Sequence, residues 1–137
     1  MRMEKAYRRR GIPTPRERYG NRMEGIKTAQ FCARYADDKK AEDIVILDVR
    51  GLSPVSDFFV ICTANSTPQL RAIRDEIDVK MKEDHDIPPW VTDGQFESQW
   101  LILDYGDVMV HIFMPEKREF YNLEKLWGDA PRVDWAA

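Results

Sequence analysis

Residues 100–113 read WLILDYGDVMVHIF. Two apolar runs, Leu101–Leu103 and Val108–Phe113, flank the polar segment Asp104-Tyr105-Gly106-Asp107. Gly106 accepts the positive φ that a tight reversal needs. The segment is therefore predicted to be a β-hairpin with the two-residue loop Tyr105-Gly106 at its tip. Counting outward sets Asp104 opposite Asp107, Leu103 opposite Val108, Ile102 opposite Met109, Leu101 opposite Val110 and Trp100 opposite His111. Side chains alternate between the faces of a sheet. One face then carries Leu101, Leu103, Val108, Val110 and Ile112, and reads as core. The other carries Trp100, Ile102, Asp104, Asp107, Met109, His111 and Phe113, a mixture of aromatic, sulfur-bearing and acidic groups. Two carboxylates set opposite each other repel by roughly 0.2–1 kcal/mol. A face that keeps them is expected to be a contact surface.

Working outward, Ile44–Val49 and Phe58–Thr63 are β-rich apolar runs that read as central strands buried on both faces. Arg50-Gly51-Leu52-Ser53-Pro54-Val55-Ser56-Asp57 between them is a loop. Asn21 with Glu24 three residues on resembles a cap and its partner, and Ile26, Ala29, Ala33 and Ala36 follow at helical spacing, giving a helix over about 22–36. Ser66, Pro68 and Gln69 open a second helix ending near Asp84, with Leu70, Ile73, Ile77 and Met81 as its buried stripe. Pro88-Pro89 interrupts the chain, Trp90-Val91 starts a short strand, and Gly94–Ser98 is loop. After Pro115 a last helix is predicted to bury Phe120, Leu123 and Trp127 and to end at Gly128. The order α-β-β-α-(β)-β-β-α predicts an α/β (α+β) protein: a single mixed β-sheet of about five strands with helices packed against it.

The 137 residues suit one domain, and 43% hydrophobic content suffices for a core. Residues 1–22 carry eight Lys/Arg and two Glu, a net +6 against −3 for the whole chain, so the remainder stands at −9. Residues 1–21 are expected to be a basic flexible arm, 22–128 the folded domain, and 129–137 a loose C-terminal end. An acidic body does not suit a folded face for nucleic acid and suits a basic protein partner. The basic arm is the exception, able to touch RNA phosphates without specificity. No apolar run approaches the roughly 18 residues of a membrane span, and the N-terminus lacks the apolar stretch of a secretory signal. Cys32 and Cys62 lack metal-type spacing and read as reduced thiols, so a cytoplasmic location is expected.

Candidate chemistry is sparse. Asp48, Asp57, Asp104 and Asp107, at strand ends, could hold Mg²⁺ for phosphoryl transfer in an enzyme. No glycine-rich phosphate cradle or accompanying lysine supports that alternative. His111 has no nucleophile in a suitable motif beside it. No catalytic residue, metal site or cofactor is therefore expected. Trp100 and Tyr105 are instead the residue types that anchor protein interfaces.

The segments KKAEDIVILDVRGLSPVSDFFVICTANS (39–66), WLILDYGDVMVHIF (100–113) and KREFYNLEKLW (117–127) together resemble the ribosomal silencing factor family, RsfS or Iojap. The resemblance runs from about Gly25 to about Trp127; Asp93-Gly94 stands where the family usually shows Glu-Gly. It implies a mixed sheet distantly like that of nucleotidyltransferases, without their catalytic apparatus. It implies binding to the L14-type protein of the large ribosomal subunit, steric block of subunit association, and repression of translation. It also implies that the free protein can form a homodimer, as some members of the family do. The partner-facing surface of the family maps onto Trp100 and Tyr105, with Asp104, Gly106, Asp107 and His111 around them as the expected binding site.

Overall fold

The computed structural model describes residues 24–93 and 99–136. The basic arm, the Asn21 cap and the Gly94–Ser98 loop lie outside them. Helix α1 (Gly25–Asp38) is followed by strands β1 (Glu42–Asp48) and β2 (Phe58–Thr63) and helix α2 (Thr67–His85). Strands β3 (Val91–Asp93), β4 (Trp100–Asp104) and β5 (Val108–Phe113) come next, then helices α3 (Pro115–Tyr121) and α4 (Leu123–Leu126) and strand β6 (Arg132–Val133). One mixed sheet has the order β3-β4-β5-β2-β1-β6. Strand β2 runs parallel to β5, and every other pair is antiparallel.

The local signals explain most of these elements. Ser66 Oγ accepts from Gln69 N at 3.2 Å, and Gln69 Oε1 accepts from Asn65 N at 2.7 Å, a reciprocal cap. Leu70, Ile73, Ile77 and Met81 are all fully buried, as their spacing requires. Gln69 also donates to the Lys39 and Lys40 carbonyls, tying the start of α2 to the end of α1. Helices α1 and α2 cover one face of the sheet, where Val60, Cys62, Leu101, Leu103, Val108, Val110 and Ile112 meet Ala29, Cys32, Ala33 and Ala36. Small residues along α1 let its backbone approach the sheet closely.

Four expectations need correction. The single mixed sheet is as expected, but Arg132–Val133, expected to lie in a loose end, pair with Leu47 and Ile46 of β1 as a short sixth strand. Strand β2 is buried throughout, but β1 is buried only toward its C-terminal half, because its outer neighbour is short. The first helix starts at Gly25, capped by Glu24 without a side-chain bond.

The last helix is the fourth correction, since it breaks at Asn122 (φ 47°). Asn tolerates the left-handed region, and here its side chain caps the next turn by accepting from Lys125 N at 3.3 Å. The phase resets at that point. Leu123 is buried, Trp127 is half-buried, and Phe120 is 78% exposed. Gly128 follows without a positive φ, its N–H donating to the Lys125 carbonyl.

Candidate docking face

The hairpin forms, but its register differs from the expected one by two residues. Trp100 pairs with Phe113, Leu101 with Ile112, Ile102 with His111, Leu103 with Val110 and Asp104 with Met109. Tyr105 N donates to the Val108 carbonyl at 2.8 Å, so the loop is Gly106-Asp107. Gly106 (φ 85°) therefore sits first in the turn, where hairpin turns need positive φ. The Asp104 carboxylate accepts from Gly106 N at 2.7 Å and fixes that turn. A one-residue slip would have exchanged the two faces; a two-residue slip preserves them. The aliphatic set stays together, and Tyr105 joins it.

This shift removes two proposed features. Asp104 does not face Asp107; it lies opposite Met109 and is 2% exposed. Tyr105 is not a projecting tip residue. It is 5% exposed, packed in the core beneath the helices, and burial raises its pKa with help from nearby Cys32 and Asp78. Its hydroxyl is buried without a hydrogen-bond partner. The loop 50–57 holds the tip rigidly. Asp57 N and Phe58 N both donate to the Asp107 carbonyl, at 2.9 and 3.0 Å, and Ser56 Oγ reaches the Gly106 carbonyl at 3.4 Å. Gly25 at the start of α1 approaches so closely that a Cβ there would lie 3.2 Å from Asp107 Cβ and from the Phe58 ring. Gly106 and Asp107 remain partly exposed.

The second face is also largely a core. Leu47, Val49, Phe59, Ile61, Ile102, Met109 and Phe113 are buried there under Leu123, Ala130 and the half-buried Trp127. His111 is fully buried, and burial pulls its pKa down to about 3. The ring is therefore neutral at physiological pH. Trp100 Nε1–H donates to His111 Nδ1 at 3.2 Å, which places the histidine proton on Nε2. His111 Nε2 has no partner.

Trp100 stands at the margin of this core, half-buried. It stacks on Phe113 with centroids 4.9 Å apart and meets Tyr121 at 4.5 Å. Three neighbours thus hold the indole in one orientation while part of its surface faces solvent. Tyr121 (45%), Phe120 (78%) and Leu126 (69%) expose apolar surface on α3 and α4, with Tyr121 joining it to Trp100. Reading the segment as one uninterrupted helix hides these three residues. The signal was Asn122, a capping residue in mid-pattern.

The carboxylates do not assemble into a metal centre. Asp48 accepts from Arg50 Nη2 at 2.7 Å and Nε at 3.0 Å, which lowers its pKa. Asp104 is engaged with Gly106 N. Among the described residues no group of three or more His, Cys, Asp or Glu could hold a metal ion. Cys32 and Cys62 are free and buried; burial raises both thiols, Cys62 up to about 12. No described helix is long and apolar enough to cross a membrane.

These features define the class as a small mixed-sheet α/β protein with an anchored, half-exposed tryptophan and an apolar shelf beside it. Comparisons with known proteins make the class specific. The family model for RsfS, "Ribosomal silencing factor during starvation", matches residues 22–137. The ribosomal silencing factor RsfS of Bacillus subtilis is 47% identical over 105 residues, covering 77% of this chain and 88% of its relative. The RsfS of Halalkalibacterium halodurans is 42% identical over 112 residues, covering 82% and 95%. A crystal structure of a Chromobacterium violaceum protein superposes with a TM-score of 0.73 at 29% identity, covering 84% of this chain and 94% of that one. The chain belongs to the ribosomal silencing factor family, RsfS/Iojap.

Proposed function

We propose that this protein binds the large ribosomal subunit through its L14-type protein and represses translation by keeping the small subunit from joining. Blocking of this kind needs no chemistry, because two bodies cannot occupy one surface. The single observation that carries the reading is Trp100, oriented by His111, Phe113 and Tyr121 yet half-exposed. Interface hot spots are enriched in such pre-positioned aromatic residues. Of the six expected site residues, Trp100, Gly106 and Asp107 are the ones with surface to offer. Asp104 and His111 hold the tip and the indole in place, and Tyr105 anchors the tip from below.

The acidic body favours a basic protein surface over RNA as the principal contact. Weak rRNA contact by residues 1–21 and a homodimer of the free protein are secondary parts of the proposal, as is a cytoplasmic site of action. The enzyme alternative finds no donor set to support it, with Asp48 engaged by Arg50 and Asp104 by the turn. A pull-down against separated subunits is the test. Wild-type protein is expected to co-sediment with large subunits and not with small ones, and Trp100→Ala to weaken binding by about 2–4 kcal/mol. Equal recovery of a folded Trp100→Ala variant would remove the proposed face.

A further inference from the structure

His111 is an imidazole where the fold asks for hydrocarbon. It sits in β5 between Ile61 of β2 and Ile102 of β4. Its ring is fully buried, edge-on to Phe59 with centroids 5.1 Å apart and nearly parallel to Phe113 at 6.1 Å. The Nε2–H that its tautomer carries has no acceptor. A buried donor left unbonded costs stability, and an aliphatic side chain would fill the position without that cost. What an imidazole adds here is Nδ1, and Nδ1 accepts the indole N–H of Trp100 at 3.2 Å. Stability is given up at this position for a bond that orients one half-exposed ring, the pattern expected at a functional site.

The same bond decides what the ring offers outward. The N–H is the one polar group of an indole, and here it is turned inward to a fully buried acceptor. What is left for another molecule is carbon surface. We propose, on the footing that Trp100 is the docking group, that His111 is the positioning residue that makes it an all-carbon contact. The matching site on the partner is then an apolar pocket that supplies no hydrogen-bond acceptor to the indole. Without Nδ1 the side chain turns its N–H toward water. Each association must then reorder the ring and strip that water, which weakens binding without touching the contact itself.

The test crosses two variants of the full-length chain. His111→Leu removes the acceptor and keeps an apolar filling. Its urea midpoint is expected to equal or exceed that of wild type, while its affinity for large subunits falls about three- to tenfold. His111→Asn keeps an acceptor near the place of Nδ1 and loses the rest of the ring. It is expected to be the less stable of the two, yet to recover most of the affinity that His111→Leu loses. A role in packing alone predicts the reverse, with affinity following stability. A third measurement needs no variant: the NMR scalar coupling across the N–H···N bond between Trp100 Nε1 and His111 Nδ1. It is expected in the free protein and is expected to persist when isolated L14-type protein is added. Wild-type affinity in a folded His111→Leu protein, or loss of that coupling on binding, overturns the proposal. Wild-type binding by Trp100→Ala would remove the docking reading and this proposal with it, while the coupling still showed the bond, so the two failures are distinguishable.

Discussion

Replacing Tyr105 by phenylalanine is expected to stabilise the protein. The ring is buried in the main core, and its hydroxyl has no hydrogen-bond partner. Cys32 and Asp78 lie near enough to oppose its ionisation, yet neither accepts its proton. An unsatisfied buried hydroxyl costs about 1–3 kcal/mol of desolvation that folding does not return. Phenylalanine keeps the ring and its packing, losing only the contacts of one oxygen. The net gain is expected to be about 1 kcal/mol, or about 4 °C in Tm for a domain of this size. Tyr105→Ala empties the site instead and is expected to lose about 3–5 kcal/mol. Urea titration followed by tryptophan fluorescence measures both, with an unchanged slope confirming that midpoints report stability. Destabilisation by Tyr105→Phe would show that the hydroxyl is satisfied and refute the reasoning. The pair of variants also separates fold from contact. A Tyr105→Ala protein that fails to bind ribosomes has lost its hairpin, whereas Tyr105→Phe is expected to bind as wild type does.

The buried, neutral His111 makes stability depend on pH. Its folded pKa lies below its ordinary value, so the unfolded chain binds the extra proton, and stability falls as pH drops from about 6.5 toward about 3. The slope is at most about 1.4 kcal/mol per pH unit, and the difference between wild type and His111→Gln in urea titrations from pH 7 to 4.5 isolates it. Asn122→Ala leaves a β-carbon in the left-handed region without the polar side chain that makes it tolerable there and removes a cap, and is expected to cost about 1–2 kcal/mol by the same titration, with Asn122→Gly recovering most of it. Phe120→Ala and Leu126→Ala are expected to change stability by less than about 0.5 kcal/mol, since both side chains are exposed, while together weakening recovery of large subunits in the pull-down.

The sequence carried the elements with strong local signals. The Ser66–Gln69 cap, the stripe from Leu70 to Met81 and the strand Phe58–Thr63 are where their patterns put them, because each is determined by neighbours in sequence. The hairpin was legible as a hairpin, and its two faces were sorted correctly. Its register was not, because the choice between Tyr105-Gly106 and Gly106-Asp107 as the loop depends on what covers the sheet. Burying the Tyr105 ring under α1 and α2, with Asp104 bonded to Gly106 N, decides for the latter. The mixed face looked like an open surface for the same reason: nothing local announces that residues 123–130 fold over it. The shelf of Phe120, Tyr121 and Leu126 was hidden behind an unbroken helical period. Strand β6 gave almost no signal, being two residues whose pairing comes from β1. Trp100 is an indole braced from three sides at the edge of a closed core, an arrangement that depends on Tyr121 and His111 and so is not legible from its own neighbours in sequence.

A subunit-joining assay reaches the proposed activity itself. Large subunits are pre-loaded with saturating protein, small subunits are added, and assembled ribosomes are separated on a sucrose gradient. Wild-type protein is expected to leave the subunits apart, and Trp100→Ala at the same concentration to let them join. Full joining on large subunits that still carry the wild-type protein would contradict the steric reading.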